Sequence, residues 1–180
     1  MPPFKFLFLL LIVPFVLTGD EPISWKNDLQ LTWDDFKGEA KLESGAVAVT
    51  ASGITFSYSV KRTNDRIIAF DAIVNAHFYP ENSWYLKDKT NDQILKHEQL
   101  HFDITELHVR MLRKKISELK VSQSIKEELH ELHLEANNLL REMQNKYDLE
   151  SDNSINRVNQ LEWEAFIESE LKRYEDFSSK

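Results

Sequence analysis

Near residue 90 the apolar residues change period, and that change limits what this chain can fold into. Before it the pattern is strand-like. Ala46–Val60 (AVAVTASGITFSYSV) alternates and is rich in β-branched and aromatic residues, with Gly53 placed for a turn or bulge. Arg66–Tyr79 (RIIAFDAIVNAHFY) is a further strand run, set off by the turn-like Thr63-Asn64-Asp65 and ended by Pro80-Glu81-Asn82-Ser83. An earlier stretch, Gln30–Phe36 (QLTWDDF), also reads as a strand, with apolar residues at 31, 33 and 36. After residue 90 the spacing is helical. Thr90-Asn91-Asp92 can cap a helix running to about Lys120, whose apolar positions 94, 95, 100, 104, 107, 111, 112 and 116 recur at three and four. Second and third helices fit 123–146 and about 155–175. The expected fold is α+β: one domain over 20–180, with an antiparallel sheet in 20–89 and three helices packed on it in 90–180.

The 180 residues are 42% hydrophobic and include 11 Phe, 4 Trp and 5 Tyr, enough for a core, so wholesale disorder is excluded. Trp25, Trp33 and Trp84 read as core or rim packing. The net charge of -8, with no long basic block, excludes broad electrostatic binding of nucleic acid or anionic lipid. With no Cys, disulfides, thiolate catalysis, iron–sulfur clusters and Cys-type zinc sites are all excluded. Any metal must be held by His and carboxylate, and there are six His. Residues 1–19 (MPPFKFLFLLLIVPFVLTG) run from Lys5 through an apolar stretch, Phe6 to Leu17, to the small Thr18 and Gly19. That order is a secretory signal, cleaved near Gly19. The stretch is short of the ~20 apolar residues that cross a bilayer. The expected destination is the periplasm or the medium, with no stable membrane span once the signal is gone.

His97-Glu98-Gln99-Leu100-His101 is an HExxH pattern inside the strongest helix. Residues four apart share a helical face, so both imidazoles can reach one ion. Zn²⁺ held by three protein ligands keeps a fourth position for water, whose pKa falls toward ~7. Glu98 projects about 100° round the helix from His97 and can take that water's proton and pass it to a leaving amine. A third His six residues after His101 is absent, since position 107 is Leu, and no Gly follows residue 53 to break the helix. His108 lies ~10 Å up the axis from His101, Glu106 is on the face opposite His97, and Asp103 also points away. The third ligand must then come from a later element: His130, His133 or Glu135 on the second helix, or Asp148, Glu150, Asp152 or Asn153 in the connection after it. His77 and Tyr147 are candidates to steady an oxyanion.

At His97–Arg110 (HEQLHFDITELHVR) the chain resembles a bacterial family catalogued as domain of unknown function 922 and described as predicted secreted zinc-dependent proteases. Leu31–Gly38 (LTWDDFKG) matches that family's Trp-x-Asp-Phe-x-Gly element. Ala48–Ser52, Ser83-Trp84, Tyr147-Asp148, Gln160 and Trp163 fall where the family has similar short motifs. The family's C-terminal pattern commonly reads Tyr-Asp-x-Glu-Thr-x-His, and Asn153 stands where that His would be. If that His is the family's ligand, the resemblance implies that Asp152 or Glu150 substitutes for it, or that this chain is an inactive relative.

Together these readings give an expected function. The chain would be an exported, zincin-like zinc metallopeptidase, with HExxH on its first long helix and Glu98 as general base. It would act on a peptide or protein that pairs with the edge of the sheet. The alternative is a non-catalytic zinc-binding or peptide-binding envelope protein.

Overall fold

The computed structural model describes residues 20–179, so the expected signal at 1–19 lies outside the described residues. Its largest strand pair is the hairpin of β3 (Ser52–Thr63) and β4 (Arg66–Phe78). Asn64 and Asp65 make the two-residue turn, at φ 46° and 62°. Asn and Asp tolerate the left-handed region, and a turn of this hand matches the twist of the flanking strands. The ladder slips between Lys61 and Arg62, whereas Gly53 pairs with His77 in regular register. The bulge expected at Gly53 is therefore eight residues further on.

β1 (Ile23–Ser24) pairs with the other edge of β4, giving the antiparallel order β1-β4-β3. β2 (Ala48–Val49) and β5 (Trp84–Tyr85) form a second, two-stranded antiparallel sheet. The strand expected over 30–36 is instead a single 3₁₀ turn at Trp33–Asp35. The Asp35 carboxylate accepts hydrogen bonds from the Thr32 backbone N–H (2.7 Å) and hydroxyl (2.8 Å), which closes the turn. Leu31 and Phe36 still reach the core, and Trp33 stacks on Tyr85 at 4.7 Å. Gly38 follows because a Cβ there would meet Glu81 O at 2.8 Å and Ser83 O at 2.9 Å.

The three helices are α1 (Asp92–Ser117), α2 (Ile125–Ser151) and α3 (Arg157–Arg173). The Asn91 side chain caps α1 by accepting from the backbone N–H groups of Gln93 and Ile94. α2 runs five residues past its expected end, because nothing in 147–151 opposes a helix. It stops where Asp152, Asn153 and Ser154 take left-handed backbone, at φ 48°, 49° and 76°. α1 is the central element, packed against β3 and β4 as well as α2 and α3. Phe102, Ile104, Leu107, Val109 and Leu112 on it are essentially inaccessible. Its buried polar side chains are largely paired within the fold. Asp103 accepts from the Trp25 indole (2.8 Å) and the Gln99 amide (3.0 Å). Glu106, fully buried, accepts from Arg110 Nε (2.9 Å) and from the Ser179 backbone and hydroxyl. Asp103 and Glu106 are therefore tied into the fold. Among the described residues no helix is long and apolar enough to cross a membrane.

His108 is one exception on α1. It is 2% exposed, and its Nε2 has no hydrogen-bond partner. Burial pushes its pKa down to about 4. The native state therefore holds His108 neutral while the unfolded chain charges it near its ordinary 6.5. Stability from this residue is complete above that value and is lost as pH falls toward 4. On the order of 2–3 kcal/mol should go by pH 4.5. His108→Leu should flatten that decline, read as denaturant midpoints at pH 7 and 4.5; parallel declines in the two proteins would contradict it.

Candidate functional site

The second and third turns of α1 and the last turn of α2 meet with three ligand-type side chains between them. Asp148 Oδ1 lies 3.2 Å from His97 Nε2 and 2.8 Å from His101 Nε2. One donor atom from each of the three residues falls within 4.8 Å of the others, so the group could hold a metal ion. The two imidazoles, a turn apart on α1, stand edge to face with ring centroids 4.9 Å apart. They converge because both bracket the same carboxylate. His97 and His101 are buried, while Asp148 is partly open to solvent.

The electrostatics follow from that contact. Burial acts to raise the Asp148 carboxyl, but hydrogen bonds from His101 and His97, with their positive charge, outweigh it and hold the group well below the usual carboxylate range. Burial acts to lower His101, yet its bond to Asp148 and the charges of Glu98 and Asp148 leave it above 6.5. The hydrogen that bridges His101 Nε2 and Asp148 Oδ1 at 2.8 Å is one that an ion must displace.

Glu98 is 4% exposed, and its Oε2 has no hydrogen-bond partner. A buried carboxylate without a partner is costly, and this one lines a cavity of about 740 Å³ together with His97, His101 and Asp148. Ala46–Thr50, which includes β2, also walls the cavity. Lys89, Ile94, Gln144, Asn153 and Ile155 complete much of the lining. The Thr50 hydroxyl donates to the Glu98 carbonyl at 3.1 Å, tying this wall to α1.

Several other expected site residues lie elsewhere. Tyr147 is on α2, fully buried, with its ring stacked on His97 at 4.4 Å. Its hydroxyl donates to Gln160 Oε1 at 2.8 Å, so it supports His97 and does not face the cavity as an oxyanion donor. His77 is not at the site: on β4, its Nε2 meets Ser24 Oγ at 3.0 Å and its Nδ1 meets Thr55 Oγ1 at 2.8 Å. His130 is exposed on α2, His133 stacks on Phe56 at 4.8 Å, and Glu135 pairs with Lys115. Glu150 accepts from the Trp163 indole at 2.9 Å. Asp152 and Asn153 occupy the left-handed turn after α2. Asn153 reaches the cavity wall, but neither residue belongs to the His97–His101–Asp148 group. Asp148 and Glu150, expected in a connection, are helical.

Gln160, on α3, has a place at the site that the sequence reading did not give it. It is 3% exposed, and its Oε1 lies 3.1 Å from His97 Nδ1. The signal available was its match to a family motif, which says nothing of what the side chain touches.

No curated protein and no solved structure matches the chain. A family described as "Bacterial protein of unknown function (DUF922)" does match, over residues 37–154. That span contains all three residues of the His97–His101–Asp148 group and covers more than half of the sequence, and the chain accordingly belongs to the DUF922 family.

Proposed function

We propose that this chain is an exported zinc-dependent metallopeptidase with a zincin-like arrangement, its zinc held by His97, His101 and Asp148. The observation that carries the reading is the convergence of two histidine Nε2 atoms on one carboxylate oxygen beside a buried, unpartnered Glu98. The donor set suits the ion. Zinc takes His nitrogen and carboxylate oxygen at ~2.0–2.2 Å, which puts tetrahedral donors ~3.3–3.6 Å apart; the 3.2 Å His97 contact is near that span, and the 2.8 Å His101 contact would open by ~0.5 Å or more. Three protein ligands are the usual number for a catalytic site. Because Asp148 supplies the third, Asn153 is not needed as a ligand. The signal-like order of residues 1–19 supports export.

When bound, zinc supplies an acidified water and a Lewis acid for a carbonyl. The chain supplies the rest. Glu98 accepts the proton of the attacking water and returns it to the amine that leaves, so water adds across the peptide bond and no charge is left behind. Among the described residues Ala48 pairs with Tyr85 on one side only, and it is among the residues that line the cavity. An extended peptide pairing there would lie across the face that carries Glu98.

The test is metal content and cleavage together. Protein purified without added zinc should hold about one zinc per chain after dialysis. It should cleave an unfolded protein such as casein, lose that activity to a chelator, and regain it with zinc. Zinc without cleavage would move the chain to the non-catalytic zinc-binding or peptide-binding class. No zinc, and no effect of chelator on melting, would retire both.

A further inference from the structure

We propose that Gln160 is the positioning residue that fixes which nitrogen of His97 is free for a metal, an inference that rests on the zinc reading above. Glu164 lies one turn further along α3. The Gln160 amide nitrogen donates to Glu164 Oε1 at 2.9 Å. A carboxylate only accepts, so the NH₂ end of the amide is committed to Glu164 and the carbonyl end must face the other way. There Oε1 receives the Tyr147 hydroxyl at 2.8 Å and meets His97 Nδ1 at 3.1 Å.

A carbonyl oxygen cannot donate. Nδ1 of His97 therefore carries a hydrogen whatever else the ring does, and the lone pair available to an ion is on Nε2. That is the atom 3.2 Å from Asp148. The wrong tautomer would place two lone pairs against each other inside a buried contact. Tyr147 adds a second restraint by stacking on the His97 ring, which limits its rotation. Gln160 thus joins α3 to a site otherwise built from α1 and α2, and it sets both the direction and the protonation pattern of one ligand. Partners of this kind are generally worth 10–100-fold in metal affinity.

The test compares the intact chain with Gln160→Met, which keeps the length and apolar stem but offers no carbonyl acceptor, and with the double variant Gln160→Glu/Glu164→Gln, which keeps an acceptor toward His97 and moves the amide donor to position 164. Zinc affinity is read by competition with a chromophoric chelator. The His97 tautomer is read from long-range ¹H–¹⁵N spectra of ¹⁵N-histidine protein with zinc bound. Gln160→Met should weaken zinc binding by about 10–100-fold, and the double variant should stay within a few-fold of the parent. In the parent, His97 should show a protonated Nδ1 and metal at Nε2. Zinc binding by Gln160→Met within twofold of the parent would overturn the inference. So would metal at Nδ1 in the parent, a reading that holds even if neither variant folds. A parent chain that takes up no zinc would instead sink the zinc reading itself.

Discussion

Replacing Asp148 by alanine is expected to weaken zinc binding at least ~100-fold, beyond the range that outer-shell partners command. The reason is geometric. Asp148 is the only one of the three grouped residues that does not come from α1, and its oxygen is the point on which both imidazoles converge. Without it the site has two nitrogen donors, one short of the usual catalytic set. Asp148→Asn keeps an oxygen at the same reach but removes the charge, so its affinity should fall between the two. Competition with a chromophoric chelator at pH 7.5 reads all three proteins. Affinity in Asp148→Ala equal to that of the parent would show that the ion is held elsewhere.

Glu98→Gln should lower peptide hydrolysis by about 10²–10⁴-fold, the usual range for loss of a general base, while zinc stays bound. Zinc is retained because Glu98 is not among the grouped ligand atoms. The same substitution should leave the melting temperature of the metal-free protein unchanged or higher. A buried carboxylate oxygen with no partner is a cost to the fold, and a neutral amide reduces it. Loss of turnover without loss of stability is the signature of a group kept for chemistry. Hydrolysis at the parental rate in Glu98→Gln would remove Glu98 from the mechanism.

The parts of this molecule that were legible in its sequence are those set by local rules. The α1 stripe from Ile94 to Ile116 and the Asn91 cap are one-dimensional signals, and α1 runs where they point. The Asn64-Asp65 turn is another, since those residue types tolerate left-handed backbone. Residues 30–36 misled because apolar side chains at 31, 33 and 36 can be met by alternation or by a turn. The Thr32–Asp35 hydrogen bonds decide for the turn. The end of α2 was hidden because no Pro or Gly marks it; three successive left-handed residues end it.

The same misplaced boundary put Asp148 and Glu150 in a connection. Inside a helix the two diverge, Asp148 toward His97 and His101 and Glu150 toward Trp163. Which carboxylate joins the two histidines is set by how α2 packs on α1, and no spacing within either helix contains that. Gln160 is a stronger case, since its role exists only where α3 meets both of the other helices.

The most direct measurement is a crystal structure of the zinc-loaded protein with an anomalous difference map at the zinc absorption edge. One strong peak is expected ~2.0–2.2 Å from His97 Nε2, His101 Nε2 and an Asp148 carboxylate oxygen, with Glu98 facing the open side. A peak at other residues, or His97 and His101 turned to separate partners with no ion between them, would contradict it.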